Sequence, residues 1–287
     1  MRLLAAWEFE PSVVIGCLGL ITAFVAGNSI VSHDRSGERA AGTSGAKTPH
    51  ALLFATAIAV LMLALTSPID VLADDYLFSA HMLQHMLLVL VVPPMLLMAV
   101  SPALAARMLG VRAIAGIERV LGRPAIAWTI ASLTLWLWHE PALYNAALAD
   151  EELHIFEHLC FLVAFTIFWW PLFAPMHQHR LAPLLAVMYL FAGAVSCSVL
   201  GILIVFAPLG SFPAYLSPRD ELGILPLIRG WGLNPRVDQD LGGLLMWLGG
   251  GAVFLGAMIV ALARWYAEPE NDAEYAPHLR RVDSVKL

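Results

Sequence analysis

The stretch Phe78 to Pro102, FSAHMLQHMLLVLVVPPMLLMAVSP, decides how the rest of the chain is read. Ser79 to Val100 is apolar enough, and at roughly 20 residues long enough, to cross a bilayer as a helix. His81 and His85 stand near its start, four positions apart. On a helix that spacing puts both imidazoles on one face, one turn apart. An imidazole is costly against lipid, so this face looks into a protein interior or a wet cavity. Pro93-Pro94 lack backbone N–H groups and are expected to kink the helix.

The rest of the sequence has the same character. Of its 287 residues 60% are hydrophobic and only 13% are charged, against about a quarter charged in an ordinary soluble domain. The class is an integral membrane protein with membrane lipid around it. The net charge of −6 is spread thinly over apolar segments and points to no nucleic-acid partner. Cys17, Cys160 and Cys197 lie in apolar stretches and form no CxxC or CxC pair, so no disulfide framework or thiol metal clip is indicated. Val14-Ile15-Gly16-Cys17 loosely resembles a lipoprotein processing box, but Glu8, Glu10 and Pro11 replace the basic and apolar regions that should precede it. An uncleaved first span is expected there.

Seven apolar segments have near-spanning length, at about 12–31, 50–66, 79–100, 125–146, 153–173, 182–207 and 241–264. The expected fold is all-α: a seven-helix transmembrane domain over 1–266 and a polar cytoplasmic tail over 267–287. Asp240 is a candidate cap for the last span. Twelve of the sixteen basic residues fall in loops 32–49, 101–124 and 174–181 and in the tail, whereas loops 67–78 and 147–152 carry only acids. By the positive-inside rule the N-terminus is outside and the C-terminus cytoplasmic. Segment 208–240, rich in Pro and Gly, is expected to fold over the outer mouth.

This topology sorts the ten histidines. His33, His50, His177, His179 and His278 fall toward the inner face and read as solvated or headgroup-facing. His81 and His85, His139, and His154 and His158 (a second i, i+4 pair) all lie within about 10 Å of the outer boundary at 1.5 Å per residue. Five imidazoles in one layer, four of them paired on faces, favour a metal site over separate helix-to-helix hydrogen bonds. Imidazole suits copper, zinc and iron, and a nearby thioether shifts preference toward copper(I). Met246 lies at a suitable depth, whereas Met82 and Met86 point about 100° off the histidine face. Glu157 is either an acceptor that orients an imidazole or a headgroup-level charge. Asp238 and Gln239 either close the outer mouth or cap the last span. Trp136/Trp138 and Trp169/Trp170 read as interfacial belt residues.

Several segments in order resemble one family. His81-Met82-Leu83-Gln84-His85-Met86, then Pro93-Pro94 and Ser101-Pro102, is similar to the signature of the seven-span CtaG-like cytochrome c oxidase assembly factors. His139-Glu140-Pro141-Ala142-Leu143-Tyr144 resembles their HxPxxY element. His154 to His158 with Trp169-Trp170-Pro171 resembles the next span, and Asp238-Gln239-Asp240-Leu241-Gly242-Gly243-Leu244-Leu245-Met246-Trp247 their DQxxGGxxMW element. The likeness covers roughly 50–265. It implies a bacterial cytoplasmic-membrane factor that matures haem-copper oxidase at its binuclear copper centre, with oxidase subunits as partners. Carried over residue by residue, the candidates are His81, His85, His139, His154, His158, Asp238, Gln239 and Met246. The expectation is therefore a non-enzymatic protein that binds or delivers copper. Its rivals are a haem-binding redox protein, a transporter of copper or protons, and a scaffold whose histidines only join helices.

Overall fold

The computed structural model describes residues 5–36 and 48–267. All regular structure among them is helical. The helices are α1 (Pro11–Ser36), α2 (Thr48–Thr66), α3 (Pro68–Asp75), α4 (Phe78–Met86), α5 (Val92–Ala99), α6 (Pro102–Leu109), α7 (Arg112–Leu121), α8 (Pro124–Trp138), α9 (Pro141–Ala149), α10 (Glu151–Phe173), α11 (Pro183–Phe206), α12 (Leu225–Gly230), α13 (Pro235–Leu244) and α14 (Gly250–Ala267). Proline sets many of the starts, because its missing N–H costs nothing in the first turn and its φ is already helical. A π-helical turn, Leu87–Val91, joins α4 to α5, and another, Leu245–Gly249, joins α13 to α14.

Six of these runs are long and apolar enough to cross a membrane: Pro11–His33, Pro49–Thr66, Phe78–Ala99, Glu151–Phe173, Pro183–Phe206 and Pro235–Ala267. Large apolar side chains such as Leu133, Phe156, Met188, Phe191 and Leu248 stand exposed on the outside of the helices, as lipid-facing positions do. The chain is a multi-pass membrane protein. The expected fourth span, 125–146, does not run as one helix. α8 stops at Trp138 after 15 residues, about 22 Å at 1.5 Å per residue, and meets α7 at a 75° bend. Pro141 causes the stop, because a residue before proline is driven out of the helical region, and Glu140 is extended at φ −66, ψ 127. The last span also starts earlier than expected, at Pro235, capped by Asn234, which accepts from the N–H groups of Arg236 and Val237. Asp240 is not the cap; it pairs with Arg236 at 2.9 Å.

Pro93-Pro94 do not break their span. Proline 93 leaves the carbonyl of Val89 without its helical donor, and the indole N–H of Trp169 donates to it at 2.8 Å. Trp169 is thus 1% exposed in the core rather than in an interfacial belt. Trp138 is buried too, whereas Trp136 stays exposed and donates to Ser196, and the part-buried Trp170 donates to Glu118. The core runs along α10, where Phe161, Phe165, Phe168 and Trp169 pack with Phe254 of α14 and Leu190 of α11.

Segment 208–240 lies across the histidine-bearing end of the bundle. Phe212 packs on Phe78 with ring centroids 4.4 Å apart, Tyr215 donates to the Ala73 carbonyl at 2.8 Å, and the N–H of Leu222 donates to the Tyr76 hydroxyl at 2.9 Å. The tail from 268 and its His278 lie outside the described residues, as does loop 37–47.

Candidate metal centre

Everything at this site depends on how α4 is held. Its N-cap position, Leu77, has no side chain able to cap it, so the first N–H groups need an acceptor from elsewhere. Asp238 supplies one from α13. It accepts from Phe78 N at 2.8 Å, Ser79 N at 3.0 Å and the Ser79 hydroxyl at 2.6 Å. Gln239, one residue on, does the reverse job for α11, donating to the carbonyls of Ile204 and Ala207, each at 3.0 Å. These two residues close helix ends on other spans; neither caps its own. Gly242 and Gly243 let α13 come this close: a Cβ on Gly242 would stand 2.4 Å from Phe78 Cδ1, and one on Gly243 2.8 Å from the Gly201 carbonyl.

With α4 fixed, His81 and His85 face α10, where His154 and His158 face back. Ring centroids lie 4.2 Å apart for His81–His85, 4.3 Å for His154–His158, 5.2 Å for His81–His154 and 5.4 Å for His85–His158. One nitrogen from each of the four falls within 4.8 Å of the others. Both ring nitrogens of His81 and of His85, and Nε2 of His154 and of His158, are buried without a hydrogen-bond partner. Burying an unpaired polar group costs about 1–3 kcal/mol. Several together mark a site made for a group that supplies partners, and imidazole nitrogens converging on one point fit a borderline or soft metal ion.

Two carboxylates flank the cluster. Glu157, 1% exposed, has Oε1 3.7 Å from His85 Nε2. It is therefore an interior group beside an imidazole, not a headgroup-level charge. Asp74 of α3 is the residue the sequence did not single out. Its carboxylate lies 3.9 Å from His81 Nδ1 and 3.7 Å from His154 Nδ1. The Asp74 side chain stays 38% exposed although Oδ1 itself is sealed, so it sits on the rim between solvent and cluster. Burial, then repulsion from Asp70 and Asp75, raises its carboxyl well above the usual range. The signal for it was Ser67-Pro68-Ile69-Asp70, a cap and first turn that turns an apparent loop into α3.

His139 and Met246 were expected in the same layer; both line a small cavity with His85, beside the four whose ligand atoms converge. His139 follows the last residue of α8 and gives its Nδ1 proton to the Leu135 carbonyl at 2.7 Å, so its lone pair is on Nε2, buried and unpartnered. Its ring lies 5.5 Å from that of His85. Tyr144, which closes the HxPxxY element, packs 5.2 Å from His81. Its hydroxyl donates to that of Tyr215 at 3.0 Å, since Tyr215 already gives its proton to Ala73. At the opposite end His177 is exposed. His179, expected to be solvated, instead donates from Nδ1 to Glu118 at 2.7 Å.

A profile of the cytochrome c oxidase caa3 assembly factor family matches residues 31–268. The chain belongs to this family. No curated protein and no solved structure matched in the two other comparisons. The match leaves out most of α1, which packs lightly against its neighbours and is largely exposed. It includes every residue of the histidine cluster. As a cytochrome c oxidase assembly factor it acts on the oxidase.

Proposed function

We propose that this assembly factor binds copper on His81, His85, His154 and His158 and delivers it to the copper centre of the oxidase. Copper here is the cargo and the protein performs no catalytic step. The observation that carries the reading is the convergence of four imidazoles, one nitrogen of each within 4.8 Å of the others, with buried ring nitrogens that no group among the described residues satisfies. Imidazoles serving only to join helices would be hydrogen-bonded across them. Across the two helices the rings stand 5.2 Å (His81–His154) and 5.4 Å (His85–His158) apart, closer than two imidazoles that sandwich a haem iron, which favours copper over haem. Asp74, part-exposed beside His81 and His154, and the exposed Asp75 stand where a cation would enter from solvent. α8 counts as a short fourth span, giving seven, and the arginine distribution puts the cluster at the outer face of a bacterial cytoplasmic membrane, where a secreted oxidase domain is within reach.

The test is made on one purified variant, His85→Ala, by copper competition titration and by detergent unfolding of the metal-free form. Loss of a group that merely orients a ligand costs about 10–100-fold in affinity, so loss of a ligand should cost at least that. Loss of a helix-to-helix hydrogen bond averages about 0.6 kcal/mol of stability. A large affinity loss with a small stability loss is expected. Lower stability with unchanged copper affinity would overturn the assignment.

A further inference from the structure

Beside the four-histidine cluster, toward the middle of the bundle, lies a cavity of about 20 Å³, room for one water-sized particle. His85, His139, Met86, Met246 and Cys197 line it, and the rest of its wall is mainly apolar, with Phe165 and Phe254 among it. We propose that this cavity is a second copper station, selective for copper(I), that takes the ion from the four-histidine cluster. The inference rests on the copper reading above and adds an inner, sulfur-containing site to it.

Four donors make the station. His139 is set as a ligand before any metal arrives, because Leu135 fixes its proton on Nδ1 and leaves Nε2 buried and unpaired. His85 forms a wall of both the cluster and the cavity, with neither ring nitrogen hydrogen-bonded. It is the shared residue through which an ion passes from one to the other. The thioethers of Met86 and Met246 complete the set. Met86, about 100° round the helix from the histidine face, lines the cavity together with His85 and Val89; Met82 does not and packs against Gly242 instead. Gly250 keeps the space open, since a Cβ there would stand 3.0 Å from Cys197 Sγ and 3.2 Å from Met86 Cε. Cys197 stays a thiol and donates to the Met246 carbonyl at 3.4 Å, holding the backbone of the π-helical turn that presents Met246.

The chemistry separates the two stations. The outer cluster offers imidazole nitrogens beside carboxylates, a set that suits several borderline ions. The inner one offers two imidazoles and two thioethers, all neutral, in an apolar wall. Thioethers select copper(I) over harder divalent ions, and a single positive charge costs less to bury than two. The inner station therefore acts as a filter: zinc or copper(II) can occupy the outer cluster but does not proceed.

The experiment uses the full-length protein in detergent, made with selenomethionine and titrated anaerobically with copper(I) and separately with zinc. The wild type should bind two copper(I) ions but one zinc, and copper X-ray scattering should show selenium neighbours. Met86→Leu/Met246→Leu, which keeps side-chain volume, should drop copper(I) to one ion with nitrogen neighbours only and leave zinc binding unchanged. His81→Ala/His154→Ala should lose zinc and keep the selenium signal. A wild type with one copper(I) and no selenium neighbour overturns the second station while the outer site stands. A wild type that binds neither metal overturns the copper reading as well.

Discussion

Replacing Asp238 with Ala removes the cap that α4 receives from α13. The loss is larger than that of an ordinary N-cap. A Ser, Thr, Asn or Asp cap is worth about 1 kcal/mol, with about 2 as the upper end. Asp238 makes three bonds, to Phe78 N, Ser79 N and the Ser79 hydroxyl. It is 1% exposed; the Phe78 N–H left buried and unpaired costs about 1–3 kcal/mol, and the part-buried Ser79 groups cost less. Against this, removing a buried carboxylate also removes the cost of burying it. The net expectation is a loss of about 2–4 kcal/mol. His81 stands three residues past Phe78 on the same helix, so copper affinity should fall together with stability.

Asn234→Ala is the internal comparison. It removes a conventional cap on α13, accepting from Arg236 and Val237, and should cost about 1 kcal/mol with copper affinity unchanged. Asp238→Asn retains one acceptor oxygen and should fall between the two. Detergent unfolding of the metal-free proteins, followed by helical circular dichroism, gives the stabilities, and competition titration gives the affinities. If Asp238→Ala lies within about 0.5 kcal/mol of wild type, the range of an ordinary surface change, then the seventh span does not hold the third in the way described.

Other perturbations address separate parts of the structure. Trp169→Phe keeps the ring but leaves the Val89 carbonyl without a donor, and should cost about 1–3 kcal/mol in the same unfolding assay; no loss would mean the proline pair needs no compensation. Asp70, 8% exposed at the membrane edge, has its carboxyl raised from 3.8 to about 7, chiefly by burial, with the Gln84 hydrogen bond opposing. The folded protein then holds that proton more tightly than the unfolded chain. Its contribution is full below pH 4, declines as pH rises to about 7, and is flat beyond. The whole change is about 4 kcal/mol at 1.36 kcal/mol per unit. Asp70→Asn should flatten the stability profile between pH 4 and 7, and an unchanged slope would contradict the assignment. Reporter fusions after Arg112 should read cytoplasmic and those after Asp74 and Asp150 exterior; inversion at two of these would reverse the topology. His177→Ala should leave host oxidase activity intact where His158→Ala lowers it, and equal effects would remove support from the cluster.

The spans and the paired histidines were legible because each depends on local period. Apolar runs of spanning length, and imidazoles at i and i+4, need nothing but the 3.6-residue turn to be placed. The contacts that bind one span to another have no such signature. Asp238 and the Phe78 N–H it accepts from are 160 residues apart, and Trp169 and Val89 are 80 apart. Two adjacent polar residues, Asp238 and Gln239, serve two different helices, and no pattern along the chain says which. The short α8 was hidden for another reason. The apolar stretches on either side let one span be drawn across His139-Glu140-Pro141, whereas the backbone cannot continue as one helix, since Pro141 forces Glu140 out of helical geometry.

A polar side chain in a membrane span is an anomaly that the sequence shows without its cause. The structure sorts these anomalies by whether their hydrogen bonds are complete. Asp238, Trp169 and Tyr215 are each engaged with a backbone group that lacked a local partner, as is Gln239 with the Ala207 carbonyl; they stabilise the bundle. His81, His85, His139, His154 and His158 each keep at least one buried ring nitrogen unpaired, and the same bundle that satisfies its backbone with distant side chains leaves these alone. Gln84 falls in both groups: its amide nitrogen donates to Ala64 and Asp70, while its oxygen is buried and unpaired. It sits next to His85 in sequence but belongs to neither the four-histidine cluster nor the cavity beside it. One unsatisfied oxygen, pointing at no other donor, is a local cost of packing. Convergence of several on one point is what turns unpaired groups into a site.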